Sequence, residues 1–241
     1  NLIKELEELL ASAKKILSII KKEITEIKEK YGEERRTQIV SHGVKEFSVE
    51  DLIPNEPTII MATQDGYIKR MPADTFKTQG RGGKGVIGLT TKEEDVIDHL
   101  IATNTHDNML FFTTRGRVFQ LRAYDIPQAT RTAKGQALVN FLQLAPNEKV
   151  SAILSMADMT KYKHLVMVTN QGTIKKTAVE DFGNVRRSGL IALKLKPDNM
   201  LEWVRPSTGK DDIMLITAQG QAIRFKESGV REMGRNAAGV R

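Results

Sequence analysis

Residues 79–85 read Gln-Gly-Arg-Gly-Gly-Lys-Gly, four glycines in seven residues, with Arg81 and Lys84 flanking the central pair. Glycine lets main-chain N–H groups approach a ligand closely, and the two cations add charge, so the chemistry of this stretch is that of a loop holding phosphate. Gly80, Gly82 and Gly85 also spell G-x-G-x-x-G. A dinucleotide site needs a buried strand before that motif and a helix after it; residues 72–78 are not an apolar run, and residues 86–89 do not open a helix. A Walker A loop is excluded because Lys84 precedes Gly85 rather than Ser or Thr. The absence of cysteine excludes a disulfide framework, a zinc ribbon and a thiol nucleophile. His42, His99, His106 and His164 lack metal-ligand spacing, and Asp98-His99 and His106-Asp107 read as local hydrogen-bonding pairs. With 5 % aromatic residues and one Trp, a stacking platform for single-stranded nucleic acid would be poorly supplied.

The elements that must carry this loop recur along the chain. Apolar runs broken by Gly66, Gly116, Gly172 and Gly220 are each followed by a mixed apolar and basic run, at separations of 50, 56 and 48 residues. Each glycine is the second residue of Asp65-Gly66, Arg115-Gly116, Gln171-Gly172 or Gln219-Gly220, which predicts four β-hairpins with two-residue turns at positive φ. A second glycine follows each pivot by 19, 19, 17 and 19 residues, at Gly85, Gly135, Gly189 and Gly239. Units of about 50 residues built from short strands are the period of propeller-like blades rather than of helical solenoids. The fourth unit stops at Arg241, so the expectation is about four blades of a ring that further sequence would complete.

Charge follows the same period. Residues 66–90, 115–136, 172–196 and 220–241 each carry a net +3 or +4, together +15, whereas the stretches between them from residue 47 on sum to −9. Basic segments at equivalent places on successive blades would make a positive belt suited to a long, curved polyanion. Double-stranded DNA is such a polyanion, and neutralising its phosphates gives affinity without sequence readout. The candidate rim contacts are Lys69, Arg70, Arg115, Arg117, Arg131, Lys134, Lys175, Lys176, Arg186, Arg187, Arg224, Lys226 and Arg235. No recognition helix or zinc finger is visible, so backbone contacts are expected to dominate.

Ahead of the repeats, Leu2, Leu6, Leu9, Ala13, Ile16, Ile20, Ile24, Ile27 and Tyr31 fall at steps of three and four, among nearly balanced Lys and Glu. That spacing predicts one long helix over 1–34 with a coiled-coil seam, a linker over 35–50, and the β body over 51–241. No window reaches 18 apolar residues and no apolar leader is present, so neither a membrane span nor a signal peptide is expected. The composition fits an intracellular protein.

The glycine-rich stretch resembles the Gln-Arg-Arg-Gly-Gly-Lys-Gly box of the DNA gyrase A C-terminal domain family, in six of seven positions. The likeness continues through Glu33-Glu34-Arg35-Arg36-Thr37, Glu50-Asp51-Leu52-Ile53, Thr103-Asn104-Thr105-His106-Asp107, Ile126-Pro127-Gln128-Ala129-Thr130-Arg131 and Arg224-Phe225-Lys226-Glu227-Ser228. It implies a mainly β fold, a β-pinwheel of propeller-like blades that wraps DNA, preceded by the end of a coiled-coil arm. Gln79, Arg81, Gly82, Gly83, Lys84 and Gly85 take the box positions; Gly80 departs from the family's Arg and removes one cation. The resemblance implies an A2B2 holoenzyme, two copies of gyrase's A protein with two of its B protein. Such an assembly is a topoisomerase that introduces negative supercoils with ATP and Mg2+ on other domains or chains. The resemblance also implies a cytoplasmic, nucleoid-associated location. The family's nucleophilic Tyr follows an Arg, and none of Tyr31, Tyr67, Tyr124 and Tyr162 does, so this stretch is expected to be non-catalytic with no cofactor. The alternatives are the equivalent domain in the A-type protein of topoisomerase IV, in which the box is degenerate, and a propeller-type protein-interaction scaffold.

Overall fold

The structure is a computed structural model and describes residues 2–33, 37, 49–76, 80–83, 85, 95–157 and 159–241. The chain divides into two units, Asn1–Phe47 and Ser48–Arg241. In the first, the periodic stretch forms two helices rather than the single one expected, α1 (Leu2–Leu10) and α2 (Ala13–Tyr31). The break is at Ser12, an extended residue (φ −128°, ψ 106°) whose carbonyl accepts from Ile16 N–H at 3.1 Å, so α2 starts anew there. The apolar positions of both helices are uncovered, Leu2, Leu6, Ile16, Ile20, Ile24 and Ile27 all being exposed. Of the expected linker, only Thr37 and the start of a four-residue helix, α3 (Val49–Leu52), lie among the described residues.

The second unit is mainly β, and each repeat opens on a hairpin. The strands are β1 (Pro57–Thr63), β2 (Tyr67–Pro72), β3 (Ile97–Asn104), β4 (Asn108–Thr113), β5 (Arg117–Arg122), β6 (Gln136–Ala137), β7 (Val150–Ser155), β8 (His164–Thr169), β9 (Ile174–Ala178), β10 (Leu190–Ile191), β11 (Leu201–Ser207), β12 (Asp212–Ile216) and β13 (Ala222–Lys226). They form four sheets, ordered β3-β1-β2-β6, β10-β5-β4-β7, β11-β8-β9 and β12-β13.

The hairpin turns differ from the two-residue form expected from the sequence. Gly66 N–H donates to the Thr63 carbonyl at 3.0 Å, and the loop is three residues, with Gly66 in the left-handed region at φ +84°. Such a loop is a type I turn followed by a bulge residue that has to take positive φ. Thr63 Oγ1 then accepts the Tyr67 N–H at 3.1 Å. Thr113, Thr169 and Thr217 repeat both contacts at the other three hairpins. A Thr three residues before each pivot was the missed signal for this turn.

A repeat is not a blade. Each of the first three hairpins takes an outer strand from later in its own repeat (β3, β7 or β11), but the short strands of the second and third repeats cross to the preceding sheet. Thus β6 pairs with β2 through Tyr67↔Ala137 and Ile68↔Gln136, and β10 pairs with β5 through Leu190↔Val118. In the fourth repeat Val240 bridges Ile174. This exchange explains the second glycine: a Cβ on Gly135 would lie 2.5 Å from the Ile68 carbonyl oxygen, and one on Gly239 2.6 Å from that of Ile174. The apolar core also lies between successive sheets. Ile60 and Ile68 of the first pack with Met109 and Phe119 of the second, while Phe112 and Val118 of the second pack with Leu165 and Met167 of the third.

Candidate nucleic-acid interface

After each hairpin the chain makes a short 3-10 turn and then a β-turn with arginine at its second position. Gly83 N–H donates to Gly80 O at 3.2 Å, Ala133 to Thr130 at 3.1 Å, Gly189 to Arg186 at 2.9 Å and Ala237 to Gly234 at 3.1 Å. The arginines at the second positions are Arg81, Arg131, Arg187 and Arg235, each 15 residues after its hairpin glycine. That constant spacing is present in the sequence but obscured by the more conspicuous second glycine, whose offset shortens by two in the third repeat. The glycine-rich box is therefore the first of four equivalent turns. Its own turn has Gly82 at φ +83° in the third position, the type II form, whereas Thr132, Ser188 and Asn236 fill that position in the others without positive φ. Gly80, Arg81, Gly82, Gly83 and Gly85 are exposed, and Gln79 and Lys84 lie outside the described residues.

The other expected rim cations divide by burial. Arg115, Arg186, Arg187, Arg224 and Lys226 are exposed, with Arg187 Nη2 3.8 Å from Asp125 Oδ2 and Arg224 paired to Asp212. Arg70, Arg131, Lys134 and Arg235 are half-buried, and Lys134 Nζ sits 3.6 Å from the centre of the Tyr67 ring. Three lysines of the expected rim are instead interior groups. Lys69 is 1 % exposed and Lys175 0 %; their ammonium groups donate to main-chain carbonyls. Lys176, also buried, donates to the Glu227 carbonyl at 3.2 Å, with Glu227 Oε1 3.7 Å away. Alternation along a strand sends neighbouring side chains to opposite faces, and the exchanged segment of the next repeat covers both sides here.

Arg117, half-buried, is committed to a partner within the fold. Its guanidinium pairs with the fully buried Glu148 carboxylate and lies over the Phe119 ring, 4.8 Å from the centroid. The Glu148 hydrogen bond holds the Arg117 pKa above its ordinary value. Burial pushes Glu148 up, but hydrogen bonds from Arg117, Thr113 and the Ala145 N–H outweigh it and hold the carboxyl below its usual range. Burial lowers the pKa of Lys69, and that of Lys175 falls to about 8, mainly by burial, with Asp181 opposing and Arg235 adding to the fall.

A second buried carboxylate ties the third repeat to the fourth. Glu227 accepts from Ser207 Oγ at 2.9 Å and from the Gly209 N–H at 3.0 Å, and His164 lies between Glu227 (3.2 Å) and Glu232 (2.8 Å). These anchors, Glu148 and Glu227 above all, were not singled out in the sequence, because an acidic residue in a polar stretch gives no local sign that it will be enclosed. Among the described residues, no cluster of three or more His, Asp or Glu side chains could hold a metal ion, and no helix is long and apolar enough to cross a membrane.

Sheets that exchange strands, each accompanied by an arginine turn, define a propeller-type repeat domain. The chain belongs to the family described as DNA gyrase C-terminal domain, beta-propeller, whose model matches residues 57–104, 107–155, 163–208 and 211–241, one match per repeat. It is 49 % identical over 239 residues to the DNA gyrase A protein of Clostridium acetobutylicum, covering 99 % of this chain and 29 % of that relative. The chain thus spans less than a third of the relative's length. Among solved structures, it resembles the C-terminal domain of DNA topoisomerase IV (TM-score 0.67, 27 % identity, 78 % of this chain and 57 % of that one) and the DNA gyrase A C-terminal domain (TM-score 0.59, 26 % identity, 77 % and 59 %).

Proposed function

We propose that the chain is the DNA-wrapping module of a DNA gyrase A protein, binding duplex DNA through its phosphates and bending it across successive blades. The carrying observation is the arginine at the same position of the same turn in all four repeats. An arginine beside approachable main-chain N–H groups suits phosphate, and repeated contacts offset a bending cost on the order of 1–6 kcal/mol per 20–30 base pairs. The contacts are Arg81, Arg131, Arg187 and Arg235, with Arg115, Arg186, Arg224 and Lys226 as further exposed cations. Gln79 and Lys84 belong with Arg81 through the box.

On this reading the chain is non-catalytic. In the intact enzyme it works with the gyrase B protein and a second copy of the A protein, and ATP and Mg2+ act elsewhere in that assembly. The uncovered apolar stripe of α1 and α2 supports its assignment to a coiled-coil arm. The higher TM-score to the topoisomerase IV domain favours a second reading, in which the wrap serves topoisomerase IV. The six retained box positions and the 49 % identity to a gyrase A protein favour gyrase.

The test is a titration of duplex DNA at several salt concentrations. Phosphate binding gives a log–log slope of about −0.9 per contact and a preference for fragments long enough to bend. Binding that ignores salt overturns the proposal and leaves the scaffold reading. In the assembled enzyme, Arg81→Ala with Lys84→Ala is expected to abolish supercoiling and spare relaxation. Equal loss of both would assign the box to assembly.

A further inference from the structure

Lys69 and Lys175 occupy the same place in their repeats, three residues after the hairpin glycine, and each points into the turn of the next repeat. Lys69 Nζ donates to the carbonyls of Arg131 (2.6 Å), Ala133 (2.9 Å) and Thr130 (3.3 Å), residues of the second arginine turn. Lys175 Nζ donates to the carbonyls of Ala192 (2.7 Å) and Arg235, the latter in the fourth arginine turn. An ammonium has three donors and no acceptor, so three converging carbonyls satisfy Lys69 in full. In both cases one of those carbonyls belongs to the turn's arginine itself.

Burying an ammonium is costly, and an apolar side chain of similar volume often serves stability as well. The other two repeats do use apolar residues here, Phe119 and Ile223. Phe119 lies under the third arginine turn, where a Cβ on Gly189 would fall 2.7 Å from its ring, and no ammonium reaches that turn's carbonyls from this position. The arginines differ accordingly. Arg131 and Arg235, over lysines, are half-buried, whereas the Arg187 side chain, over Phe119, is 84 % exposed.

We propose that Lys69 and Lys175 are positioning residues for DNA binding: each ammonium clamps the main chain of the following repeat's arginine turn and so presents Arg131 or Arg235 to a phosphate. The clamp fixes the turn before DNA arrives, so less ordering remains to be done on binding. It also places a positive charge beneath the turn without exposing it. The inference rests on the proposal that the arginine turns contact DNA.

The experiment is a pair of double-mutant cycles on the full-length chain, read as the salt dependence of duplex DNA binding. Arg131→Ala is expected to reduce the log–log slope by about 0.9, the loss of one phosphate contact. Lys69→Met is expected to reduce it by about the same amount, although Lys69 is too deeply buried to meet DNA. The Lys69→Met/Arg131→Ala double variant should show no further reduction, whereas Lys69→Met/Arg187→Ala should lose about 1.8. A merely structural lysine would lower the melting temperature and leave the slope unchanged. An unchanged slope in folded Lys69→Met, with Arg131→Ala reduced, overturns the clamp and leaves the DNA reading standing. An unchanged slope in Arg131→Ala overturns the DNA contact at this turn and the clamp with it. Lys175→Met with Arg235→Ala supplies an independent cycle, so the inference is decided by whichever lysine variant retains its circular dichroism.

Discussion

The first and second arginine turns share the hydrogen bond from the fourth residue to the first and differ in turn type and surroundings. At the second, Gly135 lies so close to the preceding sheet that a Cβ would meet the Ile68 carbonyl at 2.5 Å, and the Lys69 ammonium gathers three of the turn's carbonyls. At the first, a Cβ on Gly80 or Gly82 would meet nothing within 4 Å among the described residues, and Arg81 stands exposed. Glycine thus meets two different needs in these turns. In the second turn it permits one sheet to accept a strand from the next repeat; in the first, Gly82 takes the positive φ that the type II form requires.

The largest effect that separates the two is steric. Gly135→Ala is expected to cost about 2–5 kcal/mol, from left-handed strain and overpacking against Ile68, measured by chemical denaturation. A cost below about 1 kcal/mol would show that the exchanged strand yields easily. Next comes the clamp's response to pH. Lys175 has a folded pKa of about 8 against an ordinary 10.5, so between those values the unfolded chain holds the extra proton and stability rises with pH, by about 3 kcal/mol in all. Below pH 8 both states are protonated and the contribution is flat. The difference between native protein and Lys175→Met, followed from pH 7 to 10.5, isolates this effect, and parallel curves would refute it.

Smaller again is Gly82→Ala, expected to cost under about 1–2 kcal/mol, because the turn can revert to the type I form that Thr132, Ser188 and Asn236 accept. A cost equal to that of Gly135→Ala would erase the distinction between the two turns. The smallest effect on stability is that of Arg81→Ala, which should leave the melting temperature unchanged while reducing the salt slope of DNA binding by about 0.9. Acid separates the anchors from the surface in a similar way. Glu148 is held below the usual carboxylate range, so its stabilisation is complete at neutral pH and disappears as pH falls through that lowered value. Glu148→Gln should therefore flatten the acid limb of the stability curve.

Much of this was legible from the chain. The four hairpins followed from glycines recurring at about 50 residues, each in the middle of an apolar pattern, since a positive φ in a short loop favours that residue type. The propeller-like class was readable from the length and strand content of the repeats. Two features depart from what local signals indicate. The hairpin loops are three residues long because Thr63 and its equivalents bond back across the turn, and the N-terminal helix breaks at Ser12, where the apolar period continues but the backbone does not. Arg81, Arg131, Arg187 and Arg235 share a spacing that sequence alone contains, yet its meaning emerged only when all four were found at one position of one turn.

What the sequence by itself determined is the local content of each repeat, a hairpin and a second glycine behind it, because each depends on φ/ψ preferences and hydrophobic patterning over a few residues. Tertiary structure alone decided which sheet each short strand joins and which cations face water. Strand pairing between repeats is set by contacts some 60 residues apart, as from Lys69 to the 130–133 turn. A lysine in a strand reads as charge in any sequence; whether that charge meets solvent or a ring of carbonyls depends on what the rest of the chain brings to it.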